Sequence, residues 1–186
     1  MLALDAVEEL VFPEHLYREL VGHARRKLER RYLPGEEQAP KAYGLVGGRV
    51  LGAAAEVTHV VPLMRNLRYE PAVKSLVDRV MAEVAVPSET PLDRRGWVAD
   101  PAEVLVAERR FDAAGATLLG GYHMHRVPWE HDPDRSTCTE VDTRLADGSG
   151  LWVLILSMVE PDRPVLRAYF EGRNHAEAPV RVSERP

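Results

Sequence analysis

Two histidines separated by a single residue, His123 and His125, are well suited in type and spacing to bind a metal ion. On an extended segment, residues two apart project from the same face, so both imidazoles would meet one ion. Further along, Thr139 and Asp142 lie three residues apart, which puts a hydroxyl and a carboxylate on one face of a helical turn. Two imidazoles and a carboxylate form a three-ligand zinc set that leaves a fourth position for water. The pattern predicts a catalytic Zn2+ site formed by His123, His125 and Asp142.

The histidines must be held in place by the elements around them. They end an apolar run, residues 118–122, which predicts a buried strand whose glycines allow a close approach. Before this strand, Asp100, Pro101 and Glu103 predict the start of a helix, and Gly115 predicts its end. The sequence therefore predicts a helix that leads directly into the histidine strand.

The remaining apolar patterns predict the other elements of the fold. Helices are predicted over residues 13–28 and 71–84. Strands are predicted over residues 42–46 and 50–61, joined by a turn at Gly47-Gly48-Arg49, and over residues 151–158, 165–170 and 180–182, the last at a sheet edge. This order predicts a single-domain α+β protein over residues 1–186, with a mixed central β-sheet flanked by helices.

The composition restricts the possible partners and compartments. A chain of 186 residues has the size of one domain, and its net charge of −5 gives no general attraction for nucleic acid or for an anionic membrane. Its single cysteine, Cys138, excludes an intramolecular disulfide and a cysteine-rich zinc site. We find no secretory signal pattern and no apolar segment of membrane-spanning length, and therefore expect a cytoplasmic protein.

Several segments resemble the JAMM/MPN (JAB domain) zinc metalloprotease family, in its prokaryotic branch. Residues 121–125, Gly-Tyr-His-Met-His, followed by Thr139-Glu140-Val141-Asp142, resemble the family signature H-x-H-x7-S-x-x-D, with thirteen residues instead of seven between His125 and Thr139. Residues 41–48 resemble the segment E-x-x-G-L-L-x-G, with Lys41 in the slot of the catalytic glutamate. Further similarities lie at Asn66 and at residues 100–103. The resemblance covers residues 12–172, with an insertion at residues 67–96 and a tail at residues 173–186.

This resemblance implies a cytidine-deaminase-like fold and a zinc-dependent peptidase or isopeptidase. The implied substrates are peptides or the C-terminal tails of ubiquitin-like or sulfur-carrier proteins, held extended beside the site strand. It assigns zinc to the two histidines and Asp142, and assigns Thr139 to the oxyanion-supporting serine. For the missing glutamate three alternatives stay open. Glu37 takes its place while Lys41 points away, another proton carrier acts, or the domain is an inactive binding scaffold.

A rival interpretation of the same histidines is a cupin-like dioxygenase or isomerase, because Glu130 follows His125 after four residues. The flanking glycines and the downstream histidine motif of cupins are missing here, and helices are predicted where a cupin needs short strands. A zinc nucleoside deaminase is excluded, since its Pro-Cys-x-x-Cys segment needs two cysteines. The loop that follows the histidines contains further polar residues, which we interpret as solvated groups overhanging the metal: His131, Asp132 and Asp134.

Overall fold

The computed structural model describes residues 4–88 and 90–184. Within these ranges the longer helices are α1 (Glu14–Leu28), α2 (Pro71–Val84), α3 (Pro101–Ala113) and α4 (Glu140–Ala146). The strands are β1 (Glu9–Pro13), β2 (Tyr43–Leu51), β3 (Ala54–Pro62), β4 (Thr117–His125), β5 (Trp152–Ser157), β6 (Val165–Phe170), β7 (Glu177–Ala178) and β8 (Val180–Ser183).

All of these strands belong to one mixed sheet with the order β7-β6-β5-β4-β2-β3-β1-β8. β4 runs parallel to β5, and β1 runs parallel to β3 and β8, whereas the other pairs are antiparallel. β7 and β8 lie at opposite ends of this order, although only Pro179 separates them in the sequence. The two ends of the sheet must therefore approach each other, and the sheet is nearly closed. The protein is a single-domain α+β structure, which confirms the predicted class.

Helices pack on two faces of the sheet. Leu20 of α1 is fully buried in the same apolar cluster as Tyr122 of β4. Phe111 of α3 is fully buried in a second cluster, together with Trp97. A smaller cluster joins α2 to α4. Burial of these apolar side chains is the main favourable contribution to folding, and it holds β4 between two layers of helices.

The predicted turn at Gly47-Gly48-Arg49 is wrong. β2 continues through these residues to Leu51, with a register shift beside Gly47, and the chain turns instead at Gly52, where φ is +66°. A Cβ atom on Gly47 would lie only 2.6 Å from the ring of Phe111. The double glycine therefore serves close packing of α3 on the strand, and not a change of chain direction.

The predicted helix before the histidine strand is confirmed. The Asp100 carboxylate accepts a hydrogen bond from Ala102 N at 2.9 Å, Pro101 opens α3, and Gly115 follows it with φ of +65°. No helix in the described ranges is both long and apolar enough to cross a bilayer. Other predicted elements are also confirmed, namely the helix over residues 71–84 and the strands over residues 165–170 and 180–182.

The side chain of Asn66 joins the two ends of residues 67–96, the segment that the family resemblance treats as an insertion. The Asn66 amide oxygen accepts hydrogen bonds from Arg68 N at 3.0 Å and from Val98 N at 2.9 Å, so it joins the outgoing and returning chain. Inside the insertion, the buried Arg68 side chain binds the Asp78 carboxylate and donates to Arg95 O. These contacts give the insertion a defined position, and α2 within it packs against α4.

Candidate metal centre

The two histidines lie at the carboxyl end of β4 and share one of its faces. Tyr122 and Met124, which alternate with them, belong to the core beneath α1, so His123 and His125 project from the opposite face. The Nε2 atoms of the two histidines are 3.1 Å apart. β4 is paired with β2 on one side and with β5 on the other, and this pairing sets the spacing of the two rings.

The carboxylate of Asp142 reaches the histidines from the first turn of α4. Thr139 N and the Thr139 hydroxyl both donate to Oδ2 of Asp142, at 2.7 and 2.8 Å. The helix therefore begins with a capping box, and Oδ2 is engaged by it. The other oxygen, Oδ1, remains directed to the metal centre, 3.3 Å from His123 Nε2. Thus the same contacts that start the helix also orient the carboxylate.

The spacing of these groups fits a single zinc ion. His123, His125 and Asp142 each offer a ligand atom, and these atoms lie within 4.8 Å of one another. Zinc holds nitrogen and oxygen ligands at about 2.0–2.1 Å, and in a tetrahedron such ligands stand about 3.3 Å apart. The measured separations of 3.1 and 3.3 Å agree with this geometry. No second group of this kind occurs among the described residues.

The protonation states of the ligands also suit a metal. Nδ1 of His125 lies 3.0 Å from Arg135 O and 3.2 Å from Arg135 Nη1. In the tautomer with its proton on Nδ1, this N–H donates to the carbonyl and the Nε2 lone pair is left for an ion. Burial, together with His123, lowers the pKa of His125 to about 3, so its ring is neutral. Burial opposes the ionisation of Asp142, but His123, His125 and Thr139 N hold its pKa well below the ordinary value. Neutral imidazole and ionised carboxylate are the forms that bind metal.

Three stacked rings support one of the ligands. Tyr43 of β2 lies opposite His123 in the β2–β4 pairing, and their rings stack with centroids 5.3 Å apart. Tyr43 also stacks on Trp97, with the ring centroids 5.6 Å apart. Sequence analysis missed both aromatic residues. Once β2 and β4 are known to pair, the strand register places Tyr43 opposite His123 and so indicates its role. No sequence pattern around Trp97 indicates that this residue lies at the site.

Lys41, which the family resemblance aligns with a glutamate, lines the same cavity as the candidate metal centre. Its Nζ donates to Arg94 O and, at 3.4 Å, to Gly96 O. Burial lowers the pKa of Lys41 to about 8, with Arg68 and Arg126 acting in the same direction and Glu37 opposing them. A substantial fraction of Lys41 is therefore neutral at mildly alkaline pH.

Glu37 is placed elsewhere. It lines a separate polar depression with Arg65 and Glu70, outside the cavity that contains the histidines. Its N–H donates to Met64 O at 2.7 Å, and its carbonyl accepts a hydrogen bond from Lys27. The structure therefore brings Lys41, and not Glu37, to the wall of the metal centre.

The loop of residues 126–138 contributes four residues to the lining of the cavity, Arg126, Val127, Trp129 and Arg135. The Arg135 guanidinium lies 3.4 Å from the centroid of the Trp129 ring. Asp132 organises the loop itself, since it accepts hydrogen bonds from the hydroxyl and the N–H of Thr137. The other polar residues of this loop that the sequence suggested for the site are exposed, namely Glu130, His131 and Asp134. Glu130 is not part of the group that could hold a metal, in which Asp142 supplies the carboxylate.

The cavity has a volume of about 210 Å³ and opens beside the three candidate ligands. Residues from the insertion form part of its wall, among them Met81 and Val86. Both edges of β4 are occupied by neighbouring strands. β4 therefore has no free edge at which the expected extended substrate could add as a further strand, whereas the cavity opens beside the histidines.

Comparison with known proteins gives the fold but no activity. No family model matches the sequence, and no curated protein matches it. Among solved structures, the chain is similar to the solution structure of a protein from Desulfitobacterium hafniense, with a TM-score of 0.60 and 25% sequence identity. This similarity covers 95% of the present chain and 94% of the other. It therefore extends over nearly the whole of both proteins.

Proposed function

We propose that this protein is a zinc-dependent peptidase of the JAMM/MPN type, which hydrolyses a peptide or isopeptide bond. The main support is the spacing of His123 Nε2, His125 Nε2 and Asp142 Oδ1 beside an open cavity. Zinc held by these atoms would polarise the scissile carbonyl and activate the attacking water. By the family resemblance, the substrates are peptides or the C-terminal tails of ubiquitin-like or sulfur-carrier proteins.

The surrounding residues would orient the ligands. Thr139 engages one oxygen of Asp142 and leaves the other for the metal, and Arg135 O would accept the Nδ1–H of His125 in the tautomer that binds zinc through Nε2. Tyr43 holds the plane of the His123 ring by stacking. Such outer contacts usually change metal affinity by about 10- to 100-fold when they are removed.

Hydrolysis also requires a proton carrier. The C–N bond breaks, the oxygen of water goes to the carbonyl carbon, and a proton must reach the departing amine nitrogen. We assign this transfer to Lys41. In its neutral form, the amine can donate its two N–H groups to Arg94 O and Gly96 O and still keep a lone pair to accept a proton. Its pKa of about 8 makes this form accessible.

The mouth of the cavity suits an extended chain with apolar side chains. Leu145 of α4 is 47% exposed and Val86 of the insertion is 36% exposed, and both line the cavity with Trp129. Burial of such surfaces against a substrate would contribute about 25 cal/mol per Å². This apolar rim supports a polypeptide substrate.

The test is zinc content together with cleavage of a fusion between a ubiquitin-like protein and a reporter. We expect one zinc per native chain, cleavage that a chelator abolishes, and loss of both properties in Asp142→Asn, which keeps the shape of the side chain. His15→Ala, an exposed histidine of α1, is the matched control and should behave as the native protein. Native protein that binds no zinc would contradict the proposal.

A non-catalytic binding scaffold is the second candidate, and the lysine in the glutamate slot favours it. A scaffold would bind the fusion without cleaving it. Cleavage gained only in Lys41→Glu would identify the native protein as such a scaffold, whereas cleavage by the native chain that is lost in Lys41→Glu would support the assignment of Lys41.

A further inference from the structure

The cavity beside the metal centre has an excess of positive charge. Among the residues that the structure describes, Asp142 is the one acidic residue that lines it. The basic residues in its lining are Lys41, Arg94, Arg95, Arg126 and Arg135. The single carboxylate of Asp142, which also acts electrostatically on Arg135, cannot balance five cations, and a divalent metal would add further positive charge.

Two of these arginines have partners and two do not. Arg95 donates to three carbonyl oxygens of the insertion, and Arg135 stacks on Trp129. The guanidinium groups of Arg94 and Arg126 are exposed and form no ion pair or hydrogen bond with any residue of the described ranges. These two side chains are therefore available to a ligand.

One residue of the same wall has an unsatisfied hydrogen-bond donor. Trp97 lines the cavity and is only 7% exposed, and its Nε1–H is buried without an acceptor among the described residues. A buried donor left unpaired costs about 1–3 kcal/mol. Such a cost is recovered when a ligand supplies the missing acceptor.

Lys41 contacts the chain segment that carries Arg94 and Trp97. Lys41 Nζ binds the carbonyls of Arg94 and Gly96, directly before Trp97 in the chain. Burial is the main cause of the lowered pKa of Lys41, and Arg126 contributes to it by repulsion. Arg126 is thus near enough to Lys41 to act electrostatically on the same part of the cavity.

We propose that Arg94, Arg126 and the Trp97 Nε1–H form a subsite for a carboxylate of the substrate. The carboxylate would pair with the guanidinium groups and accept the indole hydrogen bond. A free C-terminal carboxylate and an acidic side chain share this chemistry. The use of this subsite in peptide cleavage rests on the proposed function, but its binding of a carboxylate does not.

The test compares three peptides by isothermal titration calorimetry with the full chain, both zinc-loaded and metal-free. They are acetyl-Ala-Ala-Ala with a free C-terminus, the same peptide as its amide, and acetyl-Ala-Asp-Ala amide. We expect the acid to bind at least about tenfold more tightly than its amide, because a charge-assisted pair with arginine is strong. Equal affinity for the acid and its amide would overturn the terminal carboxylate as the ligand, and tight binding of the aspartyl amide would assign the subsite to a side chain.

Variants identify the groups responsible. Arg126→Gln and Trp97→Phe should each reduce the preference for the acid by about tenfold. The matched controls are Arg109→Gln on the exposed face of α3, and Trp152→Phe, whose buried Nε1–H also lacks an acceptor among the described residues but lies away from the cavity. Both controls should keep the preference. A preference that survives in Arg126→Gln and Trp97→Phe would overturn the subsite.

The metal-free arm separates this inference from the proposed function. If the acid binds only to the zinc-loaded protein, and Arg126→Gln does not change its affinity, the carboxylate binds the metal. This result would overturn the subsite. Carboxylate preference in the metal-free protein, combined with no cleavage by the loaded protein, would support the subsite and contradict the peptidase. Cleavage of the acid and its amide at equal rates, without preferential binding, would contradict the subsite alone.

Discussion

The hydroxyl of Thr139 donates to the carboxylate of Asp142 at 2.8 Å, within the first turn of α4. The family resemblance gives this hydroxyl the role of supporting an oxyanion, and that role stays a prediction. In the structure its proton is engaged by the ligand carboxylate. The contact therefore links the start of a helix to the orientation of a metal ligand.

We predict that Thr139→Val weakens zinc binding by about 10- to 100-fold, because Asp142 loses one of the two hydrogen bonds that orient it. The same change removes a helix cap and should lower the free energy of unfolding by about 1 kcal/mol. Thr139→Ser keeps the hydroxyl and should restore both properties. Zinc titration with a competing chelator, alongside denaturant unfolding, measures them. Native zinc affinity in Thr139→Val would show that the cap does not orient the ligand.

Lys41 predicts an alkaline pH dependence of cleavage. A base whose pKa is about 8 is protonated and inactive below that value, so the rate should rise with pH and level off above 8. Lys41→Gln should lose about 100-fold or more in kcat and the alkaline rise. Lys74→Gln, a change of the same kind on α2, serves as the control. A profile that is unchanged in Lys41→Gln would remove Lys41 from the proton transfer.

A buried polar network beneath the sheet predicts sensitivity to acid. Glu36 is fully buried and pairs with Arg26 through both carboxylate oxygens, while it also accepts a hydrogen bond from Leu33 N. Burial alone would raise the pKa of Glu36, but these partners lower it to about 2. Burial lowers the pKa of the neighbouring His23, whose Nδ1 lies 2.7 Å from the Tyr122 hydroxyl, to about 4.

Both shifts destabilise the fold as the pH falls. Neutral His23 contributes stability above pH 6.5 that is lost as the pH falls to about 4, and ionised Glu36 contributes stability above pH 4.5 that is lost as the pH falls to about 2. The free energy of unfolding should therefore decrease steadily from pH 7 to pH 3. In Glu36→Gln we expect lower stability at pH 7 and a shallower decrease below pH 4.5. Denaturant titrations at each pH measure this, and His15→Gln should keep the native profile. A flat profile in the native protein would contradict the role of the network.

We predict that alanine has opposite effects on stability at two glycine positions. Gly47→Ala would bring a Cβ to within 2.6 Å of the Phe111 ring and should cost about 1–3 kcal/mol of stability. Gly22 lies in α1, and a Cβ atom added there would have no neighbouring atom within 4 Å. Gly22→Ala should therefore raise the free energy of unfolding by up to about 1 kcal/mol through higher helix propensity. Denaturant unfolding at neutral pH compares the two. Equal stability of both variants would contradict the packing of Phe111 on β2.

Local patterns predicted the elements that depend on local interactions. The cap at Asp100 and the apolar periodicity of residues 71–84 and 165–170 depend on neighbours in the sequence, and these elements occur as predicted. The position of the first hairpin turn was predicted wrongly, because the glycine at residue 47 is required by the close contact with Phe111, which lies far along the chain. A pair of glycines is equally compatible with a turn and with close packing. The residue that packs on the glycines distinguishes the two cases, and it cannot be identified from the neighbouring sequence.

The candidate site shows the same division. The period of a strand was enough to place His123 and His125 on one face, and the residue types, together with the family resemblance, added Asp142. The stacking of Tyr43 and Trp97 beside them, and the contact of Arg135 O with His125, depend on strand register and loop path. These are properties of the assembled sheet, and no sequence period encodes them.

The link at Pro179 has a consequence for synthesis of the chain. β1 is formed early, but its outer edge is covered only by β8, and β6 is covered only by β7. Until the ribosome has released these last strands, two rows of backbone amides and carbonyls are exposed and can pair with another nascent copy. A polypeptide that ends before Glu177 lacks both strands and would therefore be prone to aggregate, even though it contains His123, His125 and Asp142.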